Sequence, residues 1–234
     1  MLKAPPYVIA SGVCGTPIEY SWRPDKDVEI TDDYSKNVAQ LVGFMSLRAS
    51  LVLGVGIGEW LIWRLDGLST YTQARSYVEA LWARSVDKHY LKVNRLDRPK
   101  DMGDPVLGPL LGLEHAFSGM LMRTTLDHPE RGKSVAQVVA LVRYTLTDPG
   151  YFDGWLEKTA ERFIGNFKIE LRNRGGVLVP RSFLDPEVTI DSARTPALLD
   201  EQLRGIDYSG NPFLATPEEM LAAGFKGKPY RYLP

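Results

Sequence analysis

The sequence predicts a mainly α-helical protein: an irregular bundle of about five main helices, with a small β-hairpin and Pro/Gly-rich segments at both ends. Three observations lead there. Apolar residues between positions 32 and 167 recur at three-and-four spacing. Capping and breaking residues cut that stretch into short pieces. Strand-like alternation is confined to fragments outside it.

The elements follow in order. Within residues 1 to 31, Tyr7-Val8-Ile9 and Val28-Glu29-Ile30 alternate like short strands or extended arms. After Thr31, Asp32 and Asp33, good capping residues, the apolar positions Val38, Leu41, Met45, Val52, Val55 and Trp63 trace a first helical face. Ser69 and Thr70 introduce a second helix, with Tyr71, Ala74, Val78, Leu81, Trp82 and Ser85 on one stripe. Asp104 caps a third, Pro105 takes its first position, and Val106, Leu110, Leu113, Phe117, Met120 and Leu121 form its apolar face.

A fourth helix runs from about Ser134 to Thr147, where Pro149 and Gly150 stop it. The fifth carries Phe152, Trp155, Leu156, Phe163, Ile164 and Phe167. Beyond it, Lys168 to Leu171 and Val177 to Val179 flank Arg172-Asn173-Arg174-Gly175-Gly176, which reads as a hairpin. Of two short late helices, the better has Thr216, Pro217 and Glu219 in a capping-box arrangement. The expected organisation is a bundle with an extended N-terminal arm over 1–167, and a hairpin and short-helix segment over 168–234 packed on it as one domain. Tyr208, Phe213, Phe225, Tyr230 and Tyr232 are too many rings for a free tail.

Composition narrows the function classes. The 28 basic and 29 acidic residues leave a net charge of -1, so no global field draws the molecule to nucleic acid or anionic lipid. The single cysteine, Cys14, excludes an intramolecular disulfide and a multi-thiolate zinc site, which fits a reducing, cytoplasmic setting. Pro5 and Pro6 break the only secretory-like run, and Arg48, Glu59 and Arg64 interrupt the most apolar stretch, so no export and no membrane span are expected.

The stretch Leu51-Val52-Leu53-Gly54-Val55-Gly56-Ile57-Gly58-Glu59-Trp60 imitates the start of a dinucleotide-binding turn. Such a turn needs its third glycine at the sixth position, counting the first as one, for close packing of helix on strand. Glu59 stands there instead, and the preceding residues are helix-periodic. The expectation is therefore a buried helix in which Gly54 and Gly58 share a face and admit a close neighbour. A buried Glu59 then needs a partner.

Chemistry-bearing residues are sparse. Glu114 and His115 sit together on the third helix, and with Glu59 they make the one candidate catalytic cluster. Adjacent helical positions diverge by about 100°, and the Glu-x-x-His pairs of di-iron bundles are absent, so no metal and no cofactor are expected. Cys14 precedes a turn rather than the helix N-terminus that activates a thiol. The basic loop at Lys92, Arg95, Arg98 and Lys100 is diluted by Asp97 and Asp101. Acidic residues are more concentrated: Asp25, Asp27 and Glu29 are candidates for binding a partner with a basic surface.

These features favour a non-enzymatic, soluble protein that binds another protein. In overall form it is like bacterial antitoxin or immunity-type inhibitors, an analogy at the level of form alone. The alternatives are a hydrolase-like enzyme with an acid/base pocket at Glu59, Glu114 and His115, and a small-molecule-binding helical module using Trp60, Trp63, Trp82 and Trp155.

Overall fold

A computed structural model describes residues 2–23, 33–92, 102–122 and 131–232 of the chain. The protein is mainly helical, with nine α-helices and no β-strand among the described residues. They are α1 (Pro6–Ser11), α2 (Asp33–Gly43), α3 (Leu47–Arg64), α4 (Gln73–Val86), α5 (Leu107–Met122), α6 (Arg131–Thr145), α7 (Gly150–Asn166), α8 (Thr195–Arg204) and α9 (Pro217–Ala222).

The glycine-bearing stretch lies in α3, the central helix, where every residue from Ala49 to Arg64 is buried. Its neighbours are α4, α5, α6 and α7, plus a 3₁₀ turn at Arg181–Leu184. A Cβ at Gly54 would meet Met120 and Val135, and one at Gly58 would meet Phe117 and Leu113. The two glycines therefore do share a face, turned toward α5 and α6. A Cβ at Gly56, on the other side, would meet Leu184. No phosphate cradle exists here, because the backbone is helical and wholly covered.

Three local expectations are corrected. The face running from Val38 to Trp63 is two helices, since the chain leaves the helical path at Phe44 and Met45. Ser46 restarts it in an extended conformation, its hydroxyl accepting from the Ala49 N–H at 3.4 Å. The turn leaves Leu41 and Phe44 exposed.

Tyr7-Val8-Ile9 is helical rather than extended. Pro6 presets the first turn of α1, Gly12 ends it in the left-handed region, and Tyr7 and Val8 are buried. Val28-Glu29-Ile30 lies outside the described residues.

In place of the hairpin, residues 168–179 form turns and isolated bridges, Met45 with Lys168 and Glu170 with Asn173. The first-turn N–H groups of α3 need acceptors from outside the helix. The Leu47 and Arg48 N–H groups donate to the carbonyls of Arg174 and Gly175, each at 3.1 Å. The stretch expected to turn the hairpin is thereby committed to a helix end.

The other boundaries follow the expected chemistry with small displacements. Asp104 Oδ1 accepts from the N–H groups of Val106 and Leu107 at the head of α5. Thr216 and Glu219 complete the capping box of α9. α4 starts at Gln73 rather than directly after Thr70, so Tyr71 stands before the helix and points its hydroxyl at Glu114.

The C-terminal rings dock. Tyr230 packs on Tyr90 and stacks on Tyr208, Phe213 packs on Tyr77, and Asn211 Nδ2 donates to the Ser76 carbonyl at 2.8 Å. No helix among the described residues is long and apolar enough to cross a membrane.

Candidate functional site

A cavity of about 530 Å³ opens between the N-terminal segment, α4, the 3₁₀ turn and α8. That volume is in the usual range for small-molecule pockets, roughly 300 to 1,000 Å³. Pro5 and Pro6 bring Tyr7 to one wall, where its ring stacks on Trp155 at 4.8 Å. α4 contributes Glu79 and Trp82, three residues apart and so on one helical face. Leu198, Glu201 and Gln202 of α8 close the opposite side, with Val188 and Ile206 beside them. The lining is mostly apolar, with a few polar groups converging on it.

Arg181 is the residue that organises the floor. Its Nη2 donates to Glu59 Oε1 at 2.6 Å and its Nε to Oε2 at 3.1 Å, a two-point grip. Nη2 also donates to the Lys3 carbonyl at 2.6 Å, and the guanidinium lies 5.7 Å from the centre of the Trp82 ring. Gln202 bridges α8 to this floor: its Oε1 accepts from the Arg181 N–H, and its Nε2 donates to the Trp82 carbonyl, both at 3.0 Å.

Behind Arg181, Glu59 is 0% exposed. Burial pushes its carboxyl above the ordinary value, and the Arg181 charge and hydrogen bonds pull it back only in part. The Tyr7 hydroxyl and the Trp82 indole N–H stand near enough to favour the carboxylate, though neither reaches hydrogen-bonding geometry. Burial, followed by the Glu59 charge, raises Tyr7 well above the usual phenol value, so its proton stays on. The Ser182 hydroxyl, also on the lining, is buried without a hydrogen-bond partner.

The remaining sequence candidates are dispersed. Glu114 is buried in α5, where the Tyr71 hydroxyl lies 2.8 and 3.0 Å from its two oxygens; burial still pushes its carboxyl up to about 7. His115 is exposed. No hydrogen bond or ion pair among the described residues joins Glu59, Glu114 and His115. Asp25, Asp27 and Glu29 lie outside the described residues, as does the basic loop beyond Lys92. Cys14 is exposed, and its thiol is raised, first by desolvation and then by Asp66. Among the described residues, no three His, Cys, Asp or Glu side chains gather as a metal set.

Of the four candidate tryptophans, Trp60 and Trp63 fill the core, Trp82 lines the cavity, and Trp155 lines a smaller one of about 360 Å³ on the other side of Tyr7. Sequence reasoning missed Arg181 and Tyr7. One signal was present: Arg181 and Glu59 are lone charges inside apolar runs, and two such charges that must both be covered are natural partners. No protein family model, no curated protein and no solved structure matches the chain.

Proposed function

We propose that the protein is a small-molecule-binding helical module whose ligand enters the cavity between α1, α4 and α8. A single observation carries the reading. A cavity of ligand size has apolar walls and a floor held in place by the Arg181–Glu59 grip and the Gln202 bridge. A floor whose charged groups already hold one another keeps its shape with the site empty, which lowers the ordering cost of binding.

Trp82 on the lining supplies an intrinsic reporter. Titration with a metabolite panel should change tryptophan emission for at least one compound, and Leu198→Trp, which fills the mouth, should abolish the response. A panel without response, or a response that survives Leu198→Trp, removes the cavity from the account.

A second reading, binding of another protein, is supported by a separate face. Phe44, Leu171 and Val177 are 60%, 90% and 57% exposed around the α2–α3 turn. Backbone hydrogen bonds from Ile169 to Phe44 and from Arg48 to Gly175 hold these loops side by side, and Arg48, Lys168 and Arg172 are exposed among them. Glu170 is exposed there as well, so cations outnumber anions around these apolar side chains, which suits a partner with an acidic rim. An inhibitor role belongs under this reading. Affinity capture should retain a protein on the wild type that is lost with Leu171→Asp; identical captures would remove this face.

A further inference from the structure

The polar side chains that reach the cavity are held by the chain itself. Arg181 gives two hydrogen bonds to Glu59 and a third to the Lys3 carbonyl. Gln202 uses both ends of its amide, accepting from the Arg181 N–H and donating to the Trp82 carbonyl. Glu79 Oε2 accepts from Asn211 Nδ2 at 3.2 Å, and Asp185 Oδ1 accepts from the Glu187 N–H at 3.0 Å. Lys3 and Glu201, the other charged residues of the lining, are exposed to water and opposite in sign.

A charged guest gains little from such a site. Inside, it would give up water for groups already engaged elsewhere. At the rim it would meet exposed charges of both signs, where a pairing is worth little. Hydrocarbon is what the walls leave open. Leu2, Ala4, Leu198 and Ile206 line the cavity and are only partly buried, so apolar surface remains on them for a guest to cover.

We propose that the cavity takes an uncharged, hydrocarbon-rich molecule, held by the half-covered side chains of Leu2, Ala4, Leu198 and Ile206. The proposal rests on the ligand-binding reading above and names its chemical class. The Arg181–Glu59 pair sets the discrimination against anions. The guanidinium reaches the cavity, its side chain 24% exposed, and would attract a carboxylate if Glu59 did not already neutralise it.

Calorimetric titration with 1-adamantanol, 1-adamantylamine and 1-adamantanecarboxylate tests it, since the three share one rigid cage and differ in the head group. The alcohol should bind at least about tenfold more tightly than either ion, and salt should leave its affinity unchanged. In Glu59→Gln the carboxylate should gain severalfold on the alcohol, because the Arg181 charge has lost its partner; an unchanged ratio in the folded variant would overturn the role given to the pair. If that variant does not fold, the order of the three ligands on the wild type decides. Either ion binding the wild type as tightly as the alcohol, with the signal lost in Leu198→Trp, would overturn the uncharged assignment and leave the pocket standing. A charged ligand from the wider panel whose signal is lost in the same variant would do likewise. Binding of none of the three, with none from the panel, would overturn both.

Discussion

Arg181 reaches across 122 residues of sequence to hold both oxygens of Glu59, and it does so from a 3₁₀ turn into the middle of a helix with no other charge between Arg48 and Arg64. The pair is unequal in its surroundings. Glu59 is wholly covered, while the Arg181 side chain is 24% exposed and reaches the cavity.

That inequality predicts an order of damage. Arg181→Ala leaves a carboxylate buried without its cation, the situation that typically costs about 3 to 5 kcal/mol. Glu59→Gln leaves a guanidinium that still has the Lys3 carbonyl and a route to water, so it should cost less. Urea denaturation of both variants and the double variant checks this; a larger loss for Glu59→Gln would reverse the assignment of which charge is stranded.

Glu114 predicts a pH dependence. Its carboxyl is raised from 4.5 to about 7 by burial, so the folded protein holds a proton that the unfolded chain releases. Stability from this group is therefore fully present below about pH 4.5 and falls as pH rises toward about 7. Glu114→Gln keeps an acceptor for Tyr71 and removes the titration. It should flatten the fall between pH 5 and 8 and raise the urea midpoint at pH 8. A slope identical to that of the wild type would show that other groups carry it.

Close approaches predict a ranking among glycine-to-alanine changes. A Cβ at Gly132 would strike the Ala39 backbone, where α6 crosses α2. One at Gly58 would strike the Phe117 ring, and one at Gly54 the flexible end of Met120. Alanine improves helix propensity by about 1 kcal/mol, whereas overpacking costs roughly 1 to 3 kcal/mol or more. Gly132→Ala should lower the Tm most, Gly58→Ala less, and Gly54→Ala least, because a methionine can turn aside and a backbone cannot. Equal losses would argue that helix packing here adjusts freely.

The α9 capping box predicts a local effect. Thr216→Ala removes the hydroxyl that accepts from the Glu219 N–H at 3.3 Å, a change that usually costs about 1 kcal/mol. Met220, on the same turn, is fully buried, so α9 is tied to the rest of the core. The loss should appear in global unfolding, as a shift of the denaturation midpoint. A change confined to hydrogen exchange within α9 would mean that this helix opens alone.

What the residues determine without tertiary context is what acts over a few positions. Asp104 at the head of α5, Thr216 and Glu219 at α9, and Pro149 between α6 and α7 all specify their ends through neighbours three or four residues away. The helical state of the glycine run was legible because Glu59 occupies a place the alternative turn cannot tolerate. The ring-rich C-terminal segment announced its docking through composition alone.

The tertiary structure decided whatever depends on partners distant in sequence. Phe44 to Ser46 leave the helix, and the segment after Phe167 forms no hairpin, because each supplies hydrogen bonds to the other across more than a hundred residues. Glu114 belongs with Tyr71 rather than with Glu59, and the cavity arises only where α1, α4 and α8 meet. Periodicity tells which side of a helix seeks cover; it carries no record of which other element provides it, because apolar burial is non-directional and many pairings satisfy it equally.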